Sequence, residues 1–268
     1  MRNSPLKCID KAKILDVIDK QLEQRNWGTR CKGTSPGGVP RYYIMDYRGL
    51  ALVTGILRYH FHKEKAPYRL FYRGQGQDWE LRPSLYRGCK SRQDIDERNQ
   101  KHTRALQVIA EHFDPEGEPD EREALAQHYG FRTQFLDVVD HIQTALWFAY
   151  VEAGKSKQDE SVGYVYIIAV PEDATIIDLR RKPSEWLRPH IQQAFCVRFS
   201  NPDADLGRVS KYLVLTLVIP RTSLRAWSNY DNLPYDYFIT SKEIDQGAAY
   251  WNKAEEELTA HGLFPYQE

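Results

Sequence analysis

The sequence predicts an α+β protein, a mixed or antiparallel sheet flanked by helices and preceded by an N-terminal helix, on three observations. Residues 162–170 are apolar on both faces and 211–219 are nearly continuous in Leu and Val, as central strands of a covered sheet are. Several other segments repeat apolar residues at helical spacing. The two kinds of segment follow no regular alternation, and no repeat period links them. At 268 residues, with 41% apolar and 12% aromatic residues, the chain can bury roughly 70–75% of its unfolded surface.

The first helix is predicted over residues 10–24, where Ile14, Val17, Ile18 and Leu22 make one apolar stripe. Residues 28–40, with Ser-Pro-Gly-Gly, read as a loop. This assigns 1–44 to an N-terminal helix-and-loop extension and 45–268 to the main domain. Residues 70–74 form a short strand ending on Gly74, and 75–88 a loop containing Pro83. A helix is predicted over 94–113, a break over 115–119, and a second helix over 121–129 that Gly130 stops in a left-handed cap. The clearest helix is 140–153, with Asp140 and Gln143 in a capping-box pattern and Ile142, Ala145, Leu146 and Ala149 facing inward. Pro171 ends the 162–170 strand, and a helix over 242–262 closes the chain.

Lys plus Arg and Asp plus Glu are 37 each, so the net charge is zero and the global pull of a polybasic nucleic-acid binder is excluded. Cys8, Cys31, Cys89 and Cys196 are far apart and form no C-x-x-C pair, so no metal site is expected of them. His60 and His62 can share one strand face, but without carboxylates nearby they make no metal site either. Charges at Lys7, Asp10, Lys11 and Lys13 interrupt any secretory segment, and no apolar run is long enough to span a membrane. A reducing, cytoplasmic location is expected.

Three motifs could carry chemistry. In Phe71-Tyr72-Arg73-Gly74-Gln75 an arginine at a strand end precedes a glycine. Its planar fork of donors suits a diphosphate or carboxylate, although a surface arginine before a turn reads the same way. Residues 126–137 place Gln127, His128, Thr133 and Asp137 among apolar neighbours. His128 and Asp137 can do acid–base work, or hydrogen-bond loop backbone. In residues 188–195, Arg188 and Gln192 share a face if the segment is a helical turn. Arg87, Lys90, Arg92, Arg98, Lys101 and Arg104, near Tyr86, could meet phosphate, or form a solvated face balanced by Asp94, Asp96 and Glu97.

The combination of Tyr72-Arg73-Gly74-Gln75, Leu81-Arg82-Pro83-Ser84-Leu85, Gln127-His128-Tyr129-Gly130, Thr133 and Leu136-Asp137 resembles the FRG-domain family, named for its Phe-Arg-Gly motif. Residues 145–149, 188–195 and Leu263-Phe264-Pro265 extend the resemblance across about 45–268. Tyr72 stands in place of Phe, Ala194 in place of glycine, and Val138-Val139 where Trp-Thr often follows the aspartate.

The order of these motifs also resembles the arginine-class ADP-ribosyltransferases. That resemblance implies their split-sheet core and NAD as substrate, with Tyr72, Arg73, Gly74, Gln75, Gln127, Tyr129, Thr133 and Phe135 as candidate binding residues. It makes Arg73, His128, Asp137 and Gln192 the candidate catalytic set. Arg73 would hold the diphosphate, and Tyr72, Tyr129 and Phe135 would wall the bases. Gln192 holds the late position but is not acidic, so Asp137 or Glu185 would supply the charge. The acceptor would be RNA, DNA or protein, in a bacterial toxin or antiphage effector with a possible antitoxin or chaperone partner. The alternative is a non-catalytic nucleotide- or nucleic-acid-binding module. A third reading, a hydrolase using His128 and Asp137, has thin motif support.

Overall fold

A computed structural model describes residues 10–35, 38–113, 116–155, 162–183, 186–199, 209–229 and 245–264. These hold eight strands and eight helices, an α+β arrangement, and no described helix is long and apolar enough to cross a membrane. The chain divides into two units. The first comprises Met1–Glu80, Val139–Glu172 and Ser210–Pro234, and the second Leu81–Val138, Asp173–Val209 and Tyr235–Glu268.

The first unit holds α1 (Lys11–Arg25), β1 (Gly28–Ser35), β2 (Val39–Ile44), α2 (Tyr47–Lys63) and β3 (Tyr68–Gln75). It continues with α5 (Ile142–Lys155), β5 (Val162–Pro171), β8 (Leu213–Pro220) and α7 (Arg221–Trp227). Its strands run in the order β1-β2-β8-β5-β3, mixed because β2 and β8 are parallel and the other pairs antiparallel.

Strand alternation gives this sheet two chemically different faces. Tyr42, Leu217, Val165 and Gly74 stand in register, and the first three belong to the core with Ile18 and Leu22 of α1, Leu50, Val53 and Leu57 of α2, and Ala145 and Ala149 of α5. Residues 28–40 are therefore mostly strand, not loop, with a bulge between Arg30 and Thr34 and Gly33 at φ 93°. β2 pairs with β8, so the segment read as an extension is part of the first unit's sheet. His60 and His62 lie at the end of helix α2, not on a strand face.

The second unit holds α3 (Arg92–His112), α4 (Pro119–His128), β6 (Thr175–Asp178), α6 (Leu187–Ile191), β7 (Ala194–Arg198) and α8 (Gln246–Ala260). The chain passes from this unit into the first within β4 (Leu136–Val139). Its core joins Ile109 of α3, Phe113 that caps it, Leu125 of α4, Phe131, Phe135, Trp186 and Trp251.

Helix ends follow their caps. Asp10 caps α1 by accepting from the Lys13 N–H at 3.0 Å. Ser91 and Asp94 form a full capping box, so α3 starts at Arg92 rather than 94. α5 starts at Ile142, two residues past the expected cap. Asp140 meets Arg69 at 3.5 Å, and Gln143 donates to the Tyr47 hydroxyl at 2.7 Å. Gly130 has φ 111°, a conformation open to glycine, where α4 ends. The 242–262 helix is seen as Gln246–Ala260, and residues 242–244 lie outside the described residues.

Candidate functional site

In the first unit, the sheet face opposite the helices is polar. Arg41 of β2, Thr216 of β8, Tyr166 of β5 and Arg73 of β3 stand in one register row. Two positions along, Tyr43, Val218, Tyr164 and Gln75 form the next row on that face. The Tyr166 hydroxyl donates to Asp78 Oδ1 at 3.1 Å and lies 3.2 Å from the Trp79 carbonyl. Asp78 also pairs with the Arg41 guanidinium. Burial first, and then the Asp78 charge, push the Tyr166 phenol far above its usual range, so it stays a donor at physiological pH.

Arg73 Nε donates to Gln75 Oε1 at 3.0 Å, and Gln75 Nε2 donates to the Trp79 carbonyl at 3.2 Å. Two donors on this face lack a partner among the described residues: the hydroxyl of fully buried Thr216 and Nε of Arg41. Buried donors left unmet cost about 1–3 kcal/mol each. Arg41 and Arg73 are the partly exposed groups of the row, and two guanidiniums on one face suit a phosphate or diphosphate, with Thr216 and Tyr166 buried between them. Half-buried Tyr43 and Tyr164 offer aromatic surface beside them.

Gly74 serves the opposite face. A Cβ there would lie 1.8 Å from the Ala145 carbonyl oxygen and 2.7 Å from the Ala149 nitrogen. The glycine lets α5 seat directly on β3. It does not admit a ligand to the backbone.

The second unit gathers the other motif residues. His128, at the end of α4, sets Nδ1 3.1 Å from Gln192 Oε1, which follows α6. The Asp137 carboxylate accepts from Gln127 Nε2, and Gln127 Oε1 accepts from the Thr133 hydroxyl. Thr133 is fully buried, and its backbone N–H donates to Ser84 Oγ at 3.0 Å. Cys196 of β7 lies 3.7 Å from His128 Nε2 and 3.5 Å from Asp137 Oδ1. His128, Asp137, Gln192, Gln127 and Thr133 thus form one connected cluster, completed by Cys196.

The expected aromatic walls are core residues. Tyr72 is 1% exposed and takes a hydrogen bond from Arg58 Nε at 3.3 Å. Phe135 is fully buried, and Tyr129 is 7% exposed. The Tyr129 hydroxyl donates to Asp245 at 2.9 Å, and Asp245 also pairs with Arg188 Nε at 3.3 Å. Their bulk fills protein rather than facing a ligand. Glu185 lies outside the described residues. On α3 two of the basic residues have local partners: Arg92 pairs with Asp96 at 3.1 Å, and Arg98 donates to the carbonyls of Leu85 and Arg87.

Sequence reasoning missed Arg41, Thr216, Tyr166, Asp78 and Cys196. For the four strand residues the signal is strand periodicity, which assigns a face but not a register, and Asp78, in the segment after β3, carries none.

Residues 68–158 match the family model of the FRG domain. The match covers Arg73, Gly74 and residues 127–137, and is narrower than the 45–268 that the motifs suggested. No curated protein and no solved structure matches the chain.

Proposed function

We propose that the protein uses NAD as an ADP-ribosyl donor to a macromolecule, and that the polar sheet face of the first unit holds the dinucleotide. The observation that carries the reading is the row Arg41, Thr216, Tyr166 and Arg73, with two buried donors unmet. Arg73 and Arg41 meet the diphosphate, and Tyr43 and Tyr164 give the bases the aromatic surface first sought at Tyr72, Tyr129 and Phe135. The split-sheet core and a nucleic-acid or protein acceptor belong to this proposal through the resemblance to ADP-ribosyltransferases.

In the reaction the bond between nicotinamide N1 and ribose C1′ breaks. Its electron pair leaves with nicotinamide, positive charge builds on the ribose, and the acceptor bonds to C1′ while losing a proton. A carboxylate stabilises that charge. Asp78, held by Tyr166 and Arg41 on the same face, takes this role in place of Asp137 or Gln192, which are committed to the His128 cluster.

The protein should release nicotinamide from NAD when a macromolecular acceptor is supplied, with a mass gain on the acceptor. Asp78→Asn should lower the rate by about 10²–10³-fold, the usual cost of losing one transition-state stabiliser. Unchanged release in Asp78→Asn would remove the residue from the mechanism. Asp78's double engagement favours a second reading, binding without turnover, which predicts NAD affinity and no nicotinamide from the wild type.

A further inference from the structure

Among the described residues, one trio of His, Cys and acidic side chains has ligand atoms within 4.8 Å of one another: His128, Asp137 and Cys196. The sides of the triangle are 3.7 Å from His128 Nε2 to Asp137 Oδ1, 3.7 Å from Nε2 to Cys196 Sγ, and 3.5 Å from Sγ to Oδ1. The nitrogen–oxygen separation is too long for a hydrogen bond. A tetrahedral zinc ion sits about 2.3 Å from sulfur and about 2.0–2.2 Å from nitrogen or oxygen, which holds its ligand atoms about 3.4–3.6 Å apart. All three sides fall within a few tenths of an ångström of that spacing.

The surroundings fit as well. A metal-bound histidine usually directs its other ring nitrogen to an oxygen acceptor, which fixes the tautomer. His128 Nδ1 meets Gln192 Oε1 in this way, leaving the Nε2 lone pair for the trio. The Asp137 carboxylate is oriented by Gln127, itself held by Thr133. Cys196 is fully buried and the His128 side chain is 5% exposed, whereas Asp137 is 42% exposed. The site is therefore walled on two sides and reachable from the third.

We propose that His128 Nε2, Asp137 Oδ1 and Cys196 Sγ bind a zinc-class divalent transition metal, with water completing the tetrahedron. Thiolate, imidazole and carboxylate together suit zinc or cobalt over magnesium or calcium. On binding, the Cys196 S–H bond breaks, its proton goes to solvent and the sulfur bonds to the ion. All three ligands belong to the second unit and none belongs to the proposed NAD face, so neither proposal depends on the other.

The test is a titration of the full-length, metal-stripped protein with Co²⁺, followed by Zn²⁺ competition. One equivalent of Co²⁺ should bind, with a sulfur-to-cobalt charge-transfer band and d–d bands of tetrahedral intensity. Zn²⁺ should displace it and raise the melting temperature in a concentration-dependent way, and Mg²⁺ should do neither. Cys196→Ser should lose the charge-transfer band. Asp137→Asn, at a more exposed position, should keep the metal-free melting temperature and bind at least about 10-fold more weakly. No stoichiometric Co²⁺ binding by the wild type, or a charge-transfer band that survives Cys196→Ser, would overturn the assignment.

Discussion

Replacing Gly74 with alanine is expected to destabilise the protein by about 3 kcal/mol or more, at the upper end of overpacking costs. The added methyl would sit 1.8 Å from the Ala145 carbonyl oxygen and 2.9 Å from its carbonyl carbon. Both are backbone atoms of α5, so no side chain can swing aside, and the helix must lift from the sheet. Gly163 on β5 is tight against the same helix, since its Cβ would lie 3.0 Å from the Ala149 carbonyl oxygen. Domains are stable by only about 5–15 kcal/mol, so the loss is a large share of the total. Chemical denaturation of the variant measures it. Gly130 is the informative comparison: its Cβ would meet nothing within 4 Å, so only its φ of 111° resists alanine. A Gly74→Ala midpoint equal to wild type would mean that α5 does not sit on β3 as described.

The second large effect is expected at Arg188. Asp245 is fully buried, accepts from the Tyr129 hydroxyl and pairs with Arg188 Nε at 3.3 Å. The Arg188 guanidinium also lies over the Tyr129 ring, 5.2 Å from its centroid. Removing one partner of a buried pair leaves the other charge uncompensated, which costs roughly 3–5 kcal/mol. Arg188→Ala should show that loss in urea or thermal unfolding, and Arg188→Ala with Asp245→Asn should recover much of it. A double variant no better than the single would assign the cost to lost packing around Trp186 and Tyr129 instead.

The sequence was legible where local rules decide. Asp10, the stripe Ile14, Ile18 and Leu22, and the near-continuous Val162–Pro171 strand all act through neighbours in sequence. Helix α2 carried the same kind of signal, with Leu50, Val53, Leu57 and Phe61 behind an Asp46 cap, but its aromatic and histidine content obscured it. The strand Gly28–Ser35 is hidden in the sequence because its residues are small or polar and show no apolar alternation.

What lay beyond reach depended on register and on distant partners. Nothing near Arg73 announces that Arg41 and Thr216 join its row, because strand pairings link them. Cys196 reads as a buried apolar residue until β7 sets it beside His128 and Asp137. Gly74 shows the same limit from the other side. The motif glycine was visible, but whether it served a ligand or a helix was decided by Ala145, 71 residues further along.

The most direct test of the account is calorimetric titration of NAD into wild-type protein, Arg73→Ala and Thr216→Val, each checked for unchanged melting. The polar face predicts measurable affinity in the wild type and a loss of about tenfold or more in Arg73→Ala, the usual scale for a charge-assisted hydrogen bond. Thr216→Val, which removes one donor, should weaken binding by a smaller factor. Equal affinity in all three proteins, or none in the wild type, would contradict it.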